Sequence, residues 1–412
     1  MCADRRTLIP LLLGCLLAGT AHAAGSDDVQ IHGFAAQGWV QSAGNNIYGH
    51  SENKGGSGQY RELGVNASWR PFGPLLLSAQ TAAIQEGKAI DEDLLLEYGL
   101  ADYTVVSGPG GRLGARAGKL KVPIGFYNDS RDAVFTRPGI TLPESLYLET
   151  SGARAFGYFS AQGSGLYGDW YLGEHAIYLD AMYAWEQELD DRAAIAILRS
   201  PANGGRFDLD RGLIARLSDE YGGGRWRFAL SYLNTQLAYV PARPPTLPFN
   251  QPGGFRFDQG VMSVQYNQPA WSLTSEFTLR RITLDDISVF PFIGPLVQNP
   301  AGWYLQGAWR MTQKWQWLLR YDEQVRDLND RHGTKLSAAT QATPAPLPEH
   351  YFFARDWTAG TRYDLHPNVS VLAEFHLVDG AASVNPLDNP SFGAGGADRY
   401  WNFVTVMLAL RF

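Results

Sequence analysis

Past its first two dozen residues, the chain alternates apolar and polar residues at period two. The alternation runs in windows about ten residues long, divided by turns rich in Gly, Pro, Asn and Asp. Residues 62–70 set Leu63, Val65, Ala67 and Trp69 against Glu62, Gly64, Asn66, Ser68 and Arg70. Residues 271–280 set Trp271, Leu273, Ser275, Phe277 and Leu279 against Ser272, Thr274, Glu276, Thr278 and Arg280. Residues 315–325 set Trp315, Trp317, Leu319, Tyr321 and Val325 against Gln316, Arg320, Asp322 and Gln324. Side chains on a strand point alternately to opposite faces, so the pattern specifies an all-β chain. Sixteen windows are counted: 29–41, 60–70, 75–84, 94–104, 112–120, 155–163, 175–186, 209–218, 225–236, 255–267, 270–282, 302–311, 314–326, 350–363, 368–378 and 399–412. Those at 94–104 and 175–186 alternate poorly.

Composition removes several classes. No stretch outside the N-terminus approaches the length of an uninterrupted apolar helical span. Aromatic residues make up 13% of the chain, which argues against disorder. The 34 basic and 41 acidic residues give a net charge of −7, not the basic surface of a nucleic-acid binder.

Residues 1–23 read as a secretory signal peptide, with Arg5 and Arg6 as the charged region, Leu8 to Leu17 as the apolar region and Ala21-His22-Ala23 at the cleavage site. A rival reading takes Leu12-Leu13-Gly14-Cys15 as a lipoprotein box. Both cysteines, Cys2 and Cys15, lie in this segment, so residues 24–412 form one domain with no disulfide and no thiol ligand.

The apolar faces have two physical homes. In a soluble sandwich or propeller they meet in a dry core; in a transmembrane antiparallel β-barrel they meet lipid and the polar faces line a lumen. Three features favour the barrel. Aromatics sit at window ends (Trp69, Trp271, Trp303, Trp315, Tyr400), as interfacial girdles require. The windows are long enough to cross a bilayer when tilted. The connections are unequal: Arg70 to Leu75 and Asn267 to Ala270 are tight, whereas 121–154, 187–208, 237–254, 283–301, 327–349 and 379–398 are long. In the last window Tyr400, Asn402, Val404, Val406, Leu408, Leu410 and Phe412 share one face. Such a strand must pair with the first, because an open edge in hydrocarbon has unsatisfied backbone groups.

With a signal peptide, amphipathic strands, unequal loops and a terminal Phe412, the chain resembles Gram-negative outer-membrane porins. Gly118-Lys119-Leu120-Lys121-Val122-Pro123-Ile124-Gly125-Phe126-Tyr127-Asn128 resembles a strand-to-loop segment of the phosphate-selective O/P group, without that group's lysine-rich ladder. The resemblance implies a barrel of about 16 strands with long extracellular loops in the bacterial outer membrane. It implies passive diffusion of small hydrophilic solutes or ions, contacts with outer-membrane lipid and lipopolysaccharide, and recognition of Phe412 by the barrel-assembly machinery. It also allows a homotrimer. Alternatives are a barrel acting as an adhesin or specific transporter without general conduction, and a secreted soluble carbohydrate-binding protein or hydrolase.

The residues expected to filter solutes cluster in one segment. Arg112 and Arg116 share a face with Gly114 and Gly118, and Lys119 ends the strand. The loop 121–154 carries Lys121, Asp129, Arg131, Asp132, Arg137, Glu144 and Glu149. The expectation is that it folds inward as a constriction, with Arg112, Arg116, Lys119, Lys121, Arg131, Asp132, Arg137 and Arg70 setting selectivity and a lean to anions. The bland reading is a loop resting on the rim with solvated charges. Arg216, Arg227, Arg280, Arg310, Arg320 and Arg362, opposed by Glu276, Asp322, Asp364 and Glu374, are read as ladders between neighbouring strands.

Other motifs carry little. Gly163-Ser164-Gly165-Leu166-Tyr167-Gly168 fits G-x-G-x-x-G, but no helix pattern follows and turn glycines explain it. Asp91-Glu92-Asp93, Asp327 and Asp330 read as solvated turns rather than Ca²⁺ ligands. The histidines lack metal spacing and no G-x-S-x-G element occurs, so no metal, cofactor, enzymatic activity or nucleic-acid partner is expected. Residues 243–256 and 343–348 read as Pro-rich loops, and 191–199 as a short loop helix.

Overall fold

The computed structural model describes residues 29–148, 154, 157–190, 192–198, 205–241, 250–285, 288–289, 292–293, 296–341 and 345–412. The signal segment 1–23, Glu149, and Pro244, Pro245, Pro248 and Pro344 lie outside the described residues, as do the side chains of Asp91, Glu92 and Asp93. Sixteen long strands follow one another in antiparallel pairs: β1 (Val29–Ala43), β2 (Ser57–Phe72), β3 (Leu75–Glu86), β4 (Ile90–Gly108), β5 (Gly111–Lys121), β6 (Ser160–Leu172), β7 (His175–Ala184) and β8 (Arg206–Tyr221). They continue with β9 (Trp226–Val240), β10 (Gly253–Asn267), β11 (Trp271–Asp285), β12 (Ala301–Arg310), β13 (Trp315–Val325), β14 (Phe353–His366), β15 (Val369–Asp379) and β16 (Tyr400–Arg411). β16 pairs with β1 from Phe34–Arg411 to Ala43–Asn402, so the sheet closes on itself. Gly33 and Phe412 exchange both backbone hydrogen bonds, at 3.1 and 3.0 Å. Closure leaves no strand edge, the condition for a sheet in hydrocarbon.

All the windows but the sixth match their strands closely. The sixth, read at 155–163, is displaced: β6 is Ser160–Leu172 and takes in the whole glycine motif. Those glycines are packing residues, not turn residues. A Cβ on Gly163 would lie 2.3 Å from the Tyr183 carbonyl oxygen, and one on Gly165 2.8 Å from that of Ala181. Their absence lets β6 and β7 approach while still alternating.

The outer surface is apolar along its girth. Leu166 is 63% exposed, Leu230 60%, Leu319 57% and Met262 57%. A continuous belt of this kind has no stable contact with water, so hydrocarbon is its solvent. Aromatic pairs border it at two levels. Near the short turns Tyr266 contacts Trp226 and Trp271, at 4.5 and 5.5 Å between centroids. Toward the long loops Tyr321 contacts Trp303 and Trp357, at 5.4 and 4.8 Å. Amphipathic rings at both levels match the two interfaces of a bilayer.

The interior departs from a lumen lined by polar residues throughout. Toward the long-loop end, β7–β10 turn Met182, Ala184, Ile214, Leu233, Leu237, Phe257 and Val261 inward, all buried. They form one apolar cluster with Val122, Ile124, Leu146 and Tyr147 of the loop after β5, and with Ala193, Ala194 and Leu198 of a short helix, α1 (Arg192–Leu198). The poor alternation of 175–186 follows: Leu179 and Tyr183 face outward, while Met182 and Ala184 serve this inner cluster. A second cluster joins Ile140 and Val134 of the same loop to Tyr60, Leu372, Trp401 and Phe403.

Candidate functional site: the in-folded loop and its cavity

The described residues of the loop after β5, 122–148, 154 and 157–159, lie against the inner wall of the barrel and touch much of it. At its start Gly125 turns with φ +59°, and a Cβ there would meet the Tyr147 hydroxyl at 2.5 Å. The Gly125 N–H donates to Ser231 of β9 at 3.2 Å, and Arg216 of β8 donates to the Gly125 carbonyl at 3.0 Å. Glu276 of β11 then gathers the loop. Its carboxylate accepts the Phe126 N–H at 2.9 Å, the Tyr147 hydroxyl at 2.8 Å, and the hydroxyls of Ser263 and Tyr304, each at 2.5 Å.

On the far wall Glu374 of β15 accepts the N–H groups of Ile140 and Thr141 at 2.7 and 3.1 Å and the Thr141 hydroxyl at 2.8 Å. A Cβ on Gly139 would lie 2.0 Å from this carboxylate, so only glycine permits so close an approach. Arg320 of β13 donates to the Thr141 carbonyl at 2.8 Å, Asp322 accepts the Ser145 N–H at 3.1 Å, and Arg280 of β11 donates to the Ser145 carbonyl at 2.7 Å. Carboxylates and guanidiniums read as ladders between strands are therefore the grips on the loop. Burial with this many charge-assisted bonds makes each grip strong.

Two loop charges complete the ring. Arg137 meets Glu62 of β2 at 2.9 and 2.8 Å, with both side chains almost wholly buried. Asp132 pairs with Lys121 and accepts Gln80 of β3 at 2.8 Å. Beside them Arg154 grips Glu97 of β4 at 2.6 Å, and Arg131 stacks over Phe159 at 3.5 Å. Burial alone raises the Asp132 carboxyl, but Lys121, Arg154 and Arg131 outweigh it and hold the group below the usual carboxylate range. A depressed folded-state pKa gives stability that is present above the unfolded value and lost only as pH falls through the folded one. The Asp132 contact is therefore expected to persist on acidification to pH about 4, near the ordinary aspartate value. Channel noise recorded against pH for the parent and Asp132→Asn checks this; a difference titrating at pH about 5–6, above that value, contradicts it.

The loop leaves one side of the lumen open. A cavity of about 540 Å³ lies between its first turn and the wall of β4–β9. Basic Arg112, Arg116, Lys121, Arg216 and Arg227 line it together with acidic Asp129, Asp169, Asp180, Asp219 and Glu220. A chain of alternating charge crosses the wall. Asp102 pairs with Arg116 at 2.8 Å, Arg116 with Asp180 at 3.2 Å, Asp180 with Arg216 at 3.2 Å, and Arg216 with the loop's Asp129 at 2.6 Å. Tyr167 sits beneath Arg112 and Arg116, whose guanidinium carbons lie 5.2 and 4.1 Å from its ring centroid.

The residues expected to filter solutes thus fall into three groups. Arg112, Arg116 and Lys121 line the cavity. Arg131, Asp132 and Arg137 are buried where the loop meets the wall. Lys119 and Arg70 join neither: Lys119 donates to the Leu96 carbonyl at 2.6 Å, and Arg70 to that of Gly73 in the turn after β2 at 2.9 Å. Asp129, Glu62, Glu276 and Glu374 matter more than their sequence context suggested. For the three wall glutamates the one signal was a carboxylate on an otherwise lumen-facing row, and Asp129 stood among the other charges of the loop.

No protein-family model matches the chain, and no curated protein matches it. Solved structures do. The anion-selective porin from Comamonas acidovorans is 12% identical, over 93% of this chain and 99% of that one, with a TM-score of 0.52. The chain has the fold of the outer-membrane porins. OmpF of Salmonella typhi, in complex with daunomycin, is 12% identical over 93% of this chain and 97% of that one, with a TM-score of 0.56. The trimer form of OmpT, an outer-membrane protein of Vibrio cholerae, is 10% identical over 93% and 99%, with a TM-score of 0.54.

Proposed function

We propose that this porin-fold chain is a narrow, water-filled channel of the bacterial outer membrane, through which small hydrophilic solutes and ions diffuse passively and chemically unchanged. The observation that carries the reading is the charged cavity of about 540 Å³, set between an in-folded loop and the wall of a barrel coated in apolar side chains. The apolar clusters that fill much of the long-loop half favour a low-conductance pore over a wide general one. A weak preference for anions is supported by the likeness to a porin described as anion-selective. Arg112, Arg116 and Lys121 act on the solute, whereas Arg131, Asp132 and Arg137 act by fixing the loop. Lys119 and Arg70 stand outside this machinery. Export by residues 1–23, recognition of Phe412 by the assembly machinery, contact with lipopolysaccharide and a homotrimeric state complete the reading. A trimer form of one structural neighbour supports the last of these.

Purified protein in planar bilayers tests it. Small discrete conductance steps are expected, and Arg116→Glu should move the reversal potential toward cations. Absence of steps at any voltage contradicts the channel, and an unmoved reversal potential contradicts the assignment of Arg116.

A further inference from the structure

Acidic and basic side chains alternate along the cavity wall, from Asp102 through Arg116, Asp180 and Arg216 to Asp129. A simple ion there meets both repulsion and attraction, so the wall gains little by binding either sign. The charges are unequally presented, however. In the pair Arg112–Asp169 the arginine side chain is 49% exposed and the carboxylate 9%. In the pair Arg216–Asp129 the order reverses: the loop carboxylate is 49% exposed and the wall arginine 13%. Asp169 engages Arg112 through Nε, which leaves the η-nitrogen end that forks onto carboxylates. Arg216 engages Asp129 through Oδ2. One guanidinium on the wall and one carboxylate on the loop thus line the same cavity, each steadied from behind by a recessed partner.

We propose that this cavity is a binding site for small zwitterions carrying both a carboxylate and an ammonium, that is, amino acids and short peptides. The carboxylate docks on Arg112 and the ammonium on Asp129. Such a solute satisfies both exposed groups and adds no net charge. The volume suits it, since clefts of roughly 300–1,000 Å³ hold small organic ligands. Tyr167 beneath Arg112 and Arg116 fixes the guanidiniums in place. This inference rests on the channel reading above.

The test uses the full chain in lipid vesicles, with three probes on one skeleton at neutral pH and low concentration. They are L-alanyl-L-alanine, its N-acetyl form (an anion) and its C-terminal amide (a cation). The dipeptide should permeate about three- to fivefold faster than either analogue, the size of effect one partly exposed ion pair carries. Asp129→Asn should bring it down to the rate of the acetylated anion, and Arg112→Gln to that of the amide. Equal rates for all three probes, or an acetylated anion faster than the dipeptide, overturn the proposal. If KCl steps persist in that case, the channel reading stands and the zwitterion site alone fails. If there are neither KCl steps nor flux of any probe, both fail together.

Discussion

Replacing Arg137 with alanine is expected to unseat the in-folded loop at its hold on β2, at a cost of about 3–5 kcal/mol to the seated state. The figure follows from burial. Both members of the Arg137–Glu62 pair are almost wholly withdrawn from water and joined by two short bonds. Removing one leaves a carboxylate in a site built to neutralise it, and that penalty exceeds what the intact pair contributes. The loop then trades a closed ring of grips for one open on the β2 side, since Glu374 at Ile140 and Thr141 and Lys121 at Asp132 are the nearest remaining anchors. The readout is the open-channel current: larger steps with more frequent transitions, and faster protease cleavage within 128–141. The double variant Glu62→Gln/Arg137→Met removes both charges and should restore most of the quiet current. Identical currents for the parent and the single variant would show that the pair does not hold the loop.

Leu319→Arg is expected to destabilise the folded barrel in lipid by about 2–4 kcal/mol, the cost of a charge on a barrel's lipid face near mid-bilayer. Leu319 is 57% exposed and lies mid-way along β13, between Trp317 and Tyr321 on the same outward row. Ser218→Arg, which places the same charge against the water of the cavity, should cost far less. Urea unfolding from lipid vesicles compares the two. Equal costs would mean that the outward row does not meet hydrocarbon.

The strands were legible because a lipid-facing belt and a wet wall impose strict alternation, as in 271–280 and 315–325, and tertiary context had little to override. Legibility failed where a second solvent intruded. At 175–186 the inward residues pack on protein rather than water, so Met182 and Ala184 broke the alternation. At 163–168 the need for β6 and β7 to approach closely placed glycines inside a strand, where they read as a turn. The site was legible in part. Arg112 and Arg116 follow from strand parity alone. Glu62, Glu276 and Glu374 do not, because the groups they hold, Arg137, Phe126 and Ile140, are brought to them by a loop whose path no local pattern encodes. The same carboxylate-bearing row would look identical had the loop stayed on the rim.

Tryptophan fluorescence in vesicles of lipids brominated along the acyl chain tests most directly which solvent the apolar faces meet. Trp69, Trp271, Trp309, Trp317 and Trp357 are each about two-fifths to one-half exposed on the outer wall. Strong quenching by the bromines is expected, with little further quenching by an aqueous quencher added outside. Emission untouched by brominated chains, from protein that stays in solution without detergent, would contradict it.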